Sequence, residues 1–143
     1  MQHSMFCYQC EQTAGCSGCV GKAGVCGKSA DVANLQDQLT GALIGLARAA
    51  DTNAPAASTH RAVIEGLFTT LTNVNFNEET VRQQIDAVRR EKAALIPNCD
   101  TCASPCGRTD EYDMNLLWEA NEDIRSLKSL ILFGLRGDRK SVV

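Results

Sequence analysis

Five of the chain's 8 cysteines, Cys7, Cys10, Cys16, Cys19 and Cys26, fall within its first 26 residues. The other three, Cys99, Cys102 and Cys106, form a second group. The stretch between Cys26 and Cys99 contains no cysteine and must fold by ordinary packing. The first group is interleaved with glycine: Gly15, Gly18, Gly21, Gly24 and Gly27 are five of the chain's 11. Such a segment has little apolar surface of its own. Thiolates on a metal centre would hold it, because ligand binding supplies folding free energy. The opening residues, Met-Gln-His-Ser-Met-Phe-Cys, lack the basic region and apolar core of a secretion signal. The expected compartment is therefore the cytoplasm, where clustered cysteines read as metal ligands or redox groups before they read as disulfides.

Charge and length narrow the classes further. With 14 Lys+Arg against 17 Asp+Glu, the net charge of −3 gives no electrostatic footprint for nucleic acid or an anionic membrane surface. The longest apolar run, Leu130-Ile131-Leu132-Phe133, is far too short to span a bilayer. A chain of 143 residues suits one domain.

After the cysteine segment the pattern is helical. Ser29 or Asp31 can cap a first helix, and Val32, Leu35, Leu39, Leu43 and Leu46 make its apolar stripe. It should end before the turn-rich Thr52-Asn53-Ala54-Pro55. A second helix starts at Ser58 or Thr59 and presents Val63, Ile64, Leu67, Phe68 and Leu71. Asn77 caps a third, with Glu78 and Glu79 facing its positive end. Val81, Ile85, Val88 and Leu95 line that helix, and Pro97 stops it. A fourth helical region runs from Met114, Leu117 and Trp118 through Ile124, Leu127, Leu130, Ile131 and Leu135 to Gly137. No period-two strand is evident. The expected fold is all-α, a small antiparallel helical bundle carrying an N-terminal Cys/Gly-rich cluster-binding loop. The expected divisions are a loop over 1–28, a bundle over 29–137 and a disordered tail over 138–143.

The best ligand quartet is Cys7, Cys10, Cys19 and Cys26, spaced C-x2-C-x8-C-x6-C. A C-x2-C pair brings two thiolates to one metal face from a single turn, and two more cysteines complete four-coordination. An iron–sulfur cluster and a structural zinc both fit. For zinc, Cys16-x2-Cys19 would supply a second close pair. A disulfide framework fits least. The glycines favour iron–sulfur, because backbone amides near the sulfurs tune a cluster. Lys22 and Lys28 would add positive charge nearby, or are ordinary solvated lysines.

The string Met5-Phe6-Cys7-Tyr8-Gln9-Cys10-Glu11-Gln12-Thr13-Ala14, then Gly18-Cys19 and Gly24-Val25-Cys26-Gly27-Lys28, resembles the N-terminus of the hybrid cluster proteins. These are also called prismane proteins or hydroxylamine reductases. Asn34-Leu35-Gln36-Asp37-Gln38-Leu39 is similar to that family's first helix, and Thr70-Leu71-Thr72-Asn73-Val74-Asn75-Phe76 to its interhelical segment. Ser126-Leu127-Lys128 through Gly134-Leu135-Arg136-Gly137 resembles its next long helix. The resemblance implies that Cys7, Cys10, Cys19 and Cys26 bind a [4Fe–4S] cluster, or [2Fe–2S] in one subgroup. The x8 spacing matches the cubane subgroup, whereas x6 is one residue longer than usual there and matches the other.

The resemblance also implies what lies elsewhere in the family. Its members run to several hundred residues and carry a hybrid iron–sulfur–oxygen cluster in later domains. That centre reduces hydroxylamine to ammonia and is connected with nitric oxide chemistry. The present chain then reads as a truncated member or an isolated N-terminal domain, restricted to electron relay from an electron donor protein. Its helix faces would pack on the missing domains, or would drive self-association. The competing readings are a zinc-stabilised interaction module and a cysteine-rich thiol sensor.

The remaining candidates are weaker. Cys16 has no place in the family pattern and reads as a spare thiol. Cys99-x2-Cys102-x3-Cys106 is one ligand short of a set, which Cys16 or a partner subunit could complete; otherwise it is a loop of reduced thiols. His3 falls in the disordered start, and His60 reads as a surface or capping residue. Glu65 and Glu91 read as helix-surface charges. No catalytic residue is expected outside the cysteines.

Overall fold

Ser29 opens the first helix, its Oγ accepting the Val32 N–H at 3.2 Å, which satisfies one of the donors a helix start leaves unpaired. Asn77 does the same for the third, accepting from Thr80 N–H at 3.0 Å. The computed structural model describes residues 5–10, 17–96 and 110–137. Among these it contains helices α1 (Ala30–Thr52), α2 (Ala57–Thr69), α3 (Glu78–Leu95), α4 (Asn115–Trp118) and α5 (Glu122–Gly137). The only strand-like pairings among the described residues are two isolated bridges. The fold is a small all-α bundle, as expected. Cys16, Cys99, Cys102, Cys106 and the 138–143 tail lie outside the described residues.

The core forms where α1, α2 and α3 meet. Leu35, Leu39, Leu43 and Leu46 from α1 pack with Ala62 from α2 and with Val81, Ile85 and Val88 from α3. Their stripes recur every three or four residues, so each helix turns one apolar face inward. The approach is close enough at Gly66 that a Cβ there would stand 2.7 Å from Leu43 Cδ2. The segment before α4 is fastened across this bundle. Tyr112 N–H donates to Gly41 O at 3.1 Å, and Arg89 forms a two-pronged pair with Glu111 at 2.7 and 3.0 Å.

Several sequence expectations shift. α1 continues through Thr52, and α2 starts at Ala57 behind Ala56, with no side chain capping it. Leu71 falls beyond α2, because Thr70 ends that helix. The fourth helical region is two helices, interrupted where the Glu119 N–H closes a turn on Asn115 O. Its apolar stripe is buried only in the first part: Met114, Leu117 and Trp118 form a small core, whereas Ile124, Leu127, Leu130, Ile131 and Leu135 all face outward. The inward position of α5 belongs instead to Arg136. Helical periodicity identifies an apolar face but not its partner.

Leu39 is fully enclosed and Leu130 is 67% exposed. Leu39→Ala should lower unfolding stability by about 2–5 kcal/mol through the cavity it leaves. Leu130→Ala should stay within about 0.5 kcal/mol of wild type. Denaturant unfolding curves of the two variants check both values.

Candidate metal centre

The cysteine segment folds back on itself through two short pairings. Cys7 and Cys19 exchange backbone hydrogen bonds, Cys7 N–H to Cys19 O at 3.0 Å and Cys19 N–H to Cys7 O at 2.9 Å. Further on, Gly24 N–H donates to Lys28 O at 2.8 Å, Gly27 N–H to Gly24 O at 2.9 Å, and Ala30 N–H to Lys22 O at 3.1 Å. The second set makes a tight turn that holds Cys26 and runs straight into α1. Gly18 and Gly27 adopt positive φ, +127° and +85°, conformations that a side chain would strain.

The pairings bring three of the predicted ligands near one another. Cys7 and Cys19 are neighbours across the first pair. Around Gly24, a Cβ would stand 3.4 Å from Cys26 Sγ and 3.9 Å from Cys19 Sγ. The bare Cα of Gly24 thus leaves open the space between two of the sulfurs. Cys10 stands at the end of the described 5–10 stretch, three positions from Cys7. All four thiols are outside disulfides. Cys19 is buried, packed with Met5 and Ala33, and the other three are half-buried. Among the described residues, no group of three or more His, Cys, Asp or Glu side chains is set to hold a single metal ion. Cys7, Cys19 and Cys26, drawn together in a glycine-rich turn, offer a thiolate donor set of the kind that iron–sulfur and zinc centres both use.

The loop is seated by aromatic and polar contacts. Phe6 stacks at a tilt on Trp118 with ring centroids 5.1 Å apart. The Arg125 guanidinium lies 5.6 Å from the Phe6 ring and 5.5 Å from the Tyr8 ring. Thr72 donates to Gln9 O at 3.0 Å, tying the loop to the α2–α3 connection.

Lys28, weighed as a solvated lysine from the sequence, is corrected by the structure: it is 1% exposed. Its Nζ donates to Gln36 Oε1 at 2.7 Å and approaches Cys7 Sγ at 4.0 Å. Lys22 is exposed. Burial pushes the Cys7 thiol up from its ordinary value, while the Lys28 charge pulls it down. Beneath them Arg136 donates to Thr40 Oγ1 at 3.0 Å, and Trp118 Nε1 donates to Asp37 Oδ2 at 2.8 Å. Burial lowers the Arg136 guanidinium pKa, opposed by the charges of Asp37 and Cys7.

Gln36, Asp37, Thr40 and Arg136 were not singled out as site residues from the sequence. The first three occupy positions beside the α1 leucine stripe, at Leu35+1, Leu35+2 and Leu39+1. Polar residues alternating with a core stripe are a usable signal for a buried polar network. Arg136 had none. His60 is exposed near the start of α2, as expected. Glu65 is exposed, and Glu91 is half-buried with the Thr59 hydroxyl donating to it at 3.2 Å.

The family model described as Prismane/CO dehydrogenase family matches residues 5–140. A hydroxylamine reductase of Porphyromonas gingivalis is 37% identical over 157 aligned positions, covering 96% of this chain and 28% of the relative. A hydroxylamine reductase of Solidesulfovibrio magneticus is 41% identical, covering 93% of this chain and 28% of the relative. One of Maridesulfovibrio salexigens is 40% identical with the same coverage, 93% and 28%. The chain thus spans 28% of the length of these curated relatives.

Asp37 generates a pH dependence. Burial pushes its carboxyl from 3.8 up to about 7, against the Trp118 hydrogen bond and the Arg136 and Lys28 charges. Between those values the folded chain keeps a proton that the unfolded chain has released. The contribution of this group is therefore full below 3.8 and is lost as pH rises through about 7. Asp37→Asn keeps an acceptor for Trp118 and removes the titration. The wild-type minus variant difference in unfolding free energy should fall between about pH 4 and about pH 7 and level off above. A flat difference in denaturant melts contradicts this.

Proposed function

Because the chain belongs to the Prismane/CO dehydrogenase family, we propose that Cys7, Cys10, Cys19 and Cys26 hold an iron–sulfur cluster, of the [4Fe–4S] type. The proposed role is single-electron relay in a hydroxylamine reductase-type hybrid cluster protein. The observation that carries this reading is the joint placement of three of the thiols. Cys7 is paired with Cys19 through two backbone hydrogen bonds, and the Cys26 and Cys19 sulfurs both border the open side of Gly24.

When bound, the cluster supplies storage of one electron. The chain's own residues do the rest. Residues 1–28 are proposed as the ligand loop and 29–137 as its scaffold. Cys7, Cys10, Cys19 and Cys26 bind as thiolates, so loading releases their protons. Met5, Phe6 and Ala33 keep water from the inner side, and Lys28 places positive charge at Cys7. Exposed Val20, Lys22 and Val25 form the outer rim, where an electron donor protein would approach. Hydroxylamine reduction and nitrosative chemistry are proposed for the longer architecture of the family. The hybrid cluster is assigned to no residue of this chain. Among the described residues, no helix is long and apolar enough to cross a membrane, in keeping with a proposed cytoplasmic location.

Anaerobically purified or reconstituted protein should be brown, with a broad absorption shoulder and with bound iron and sulfide. Ser at Cys7, Cys10, Cys19 or Cys26 should lower both contents. Mössbauer and electron paramagnetic resonance spectra distinguish [4Fe–4S] from [2Fe–2S]. Colourless protein carrying stoichiometric zinc would overturn the proposal in favour of a zinc-stabilised interaction module.

The outward face of α5, with Leu127 at 59%, Leu130 at 67% and Ile131 at 62% exposure, is the apolar surface through which self-association is proposed. Sedimentation velocity across a concentration series should show the weight-average coefficient rising with concentration.

A further inference from the structure

A fully buried ammonium needs a compensating negative charge, because taking it out of water costs several kcal/mol unless it is paired. Lys28 is 1% exposed. Among the described residues, no carboxylate lies within ion-pair distance of it. Its surroundings are the Gln36 amide oxygen at 2.7 Å, Cys7 Sγ at 4.0 Å and the Phe76 ring at 5.8 Å. Of these, only Cys7 can carry a full negative charge, as a thiolate; farther off, the buried Asp37 carboxyl also feels the Lys28 charge.

The ammonium is also held in one orientation. Gln36 is completely buried, and its Nε2 donates to Asn75 O at 2.9 Å. With the amide nitrogen committed to a carbonyl, the amide oxygen must face Lys28. Turning the amide over would set its NH2 against the ammonium and its oxygen against Asn75 O. Asn75 belongs to the α2–α3 connection, whose Asn73 takes the left-handed conformation (φ +58°) and whose Thr72 grips Gln9 O. Lys28, Gln36 and Asn75 therefore form a relay of fixed dipoles ending on a ligand sulfur.

We propose that Lys28 is the positioning residue that sets the reduction potential of the centre at Cys7, its charge clamped against the Cys7 sulfur by Gln36. The assignment rests on the cluster reading above and deepens it. A fixed positive charge favours the more negative, reduced form, so it raises the potential. In the low-dielectric interior its effect is far larger than that of a solvent-screened lysine. Lys22, exposed in the same loop, is the natural comparison. The couple takes one electron from a chemical reductant such as dithionite, and no bond forms or breaks.

The test is a spectroelectrochemical titration of the reconstituted chain, with iron and sulfide measured on every sample. Lys28→Met should retain iron and sulfide and shift the midpoint to more negative potential. Lys28→Arg should restore most of the wild-type midpoint, and Lys22→Met should scarcely move it. If Lys28→Met does not fold, Gln36→Glu takes its place. It keeps an oxygen on Lys28 and balances its charge, at the cost of the hydrogen bond to Asn75 O, and should also lower the midpoint. A wild-type midpoint in a fully loaded Lys28→Met or Gln36→Glu sample overturns the proposal, as does an equal shift from Lys22→Met. A wild-type chain that binds no iron and sulfide overturns the cluster reading and this assignment together. A coloured wild type with unmoved variants overturns this assignment alone.

Discussion

A cysteine–glycine loop with almost no apolar surface must take its rigidity from elsewhere, and here it takes it from α1. The Cys26 turn closes directly onto the start of that helix, and Cys19 packs against Ala33 on its first turns. Lys28 reaches inward to Gln36 two turns along. The same helix supplies the leucines that bind α2 and α3. One element therefore serves both the apolar core and the polar seat of the thiols. Damage to the α1 core would be felt at the cysteines, although none of them lies in that core.

The polar seat is built from groups that would be costly to bury singly. Lys28, Gln36, Asp37, Thr40 and Arg136 lie on or against one side of α1, each meeting another polar group. Two of the five are cations and one is a carboxyl held near neutrality. Both cations act on Asp37 and on Cys7, the thiol that the polar seat reaches.

Much of the architecture was legible in advance. Helix starts at Ser29 and Asn77 follow from side chains that can cap, and the α1 and α3 stripes follow from apolar recurrence at three and four residues. The break between α4 and α5 was not read from the sequence, although Asn121 caps α5, accepting the Asp123 N–H at 3.0 Å ahead of an acidic first turn. Nor was the exposure of the α5 stripe. Periodicity says that a face is apolar, and only the neighbouring elements say whether it is covered. Among the site residues, the cysteines were readable from spacing. Lys28 was readable only as one of two alternatives, a charge near the sulfurs or a solvated lysine: a lysine in a glycine-rich loop has the same local sequence whether it points out or in.

By itself, the sequence determined the helical class, the caps and stripes of α1 and α3, and the candidate thiols at Cys7, Cys10, Cys19 and Cys26. These are local properties, set by side-chain chemistry and by spacing within one element. The tertiary structure decided which groups meet across elements: Cys7 beside Cys19, Lys28 against Cys7 and Gln36, and Arg136 against Thr40 nearly a hundred residues earlier. Burial, and with it the strength of every charge in the site, depends on what packs from outside an element. No pattern within a single segment contains that information.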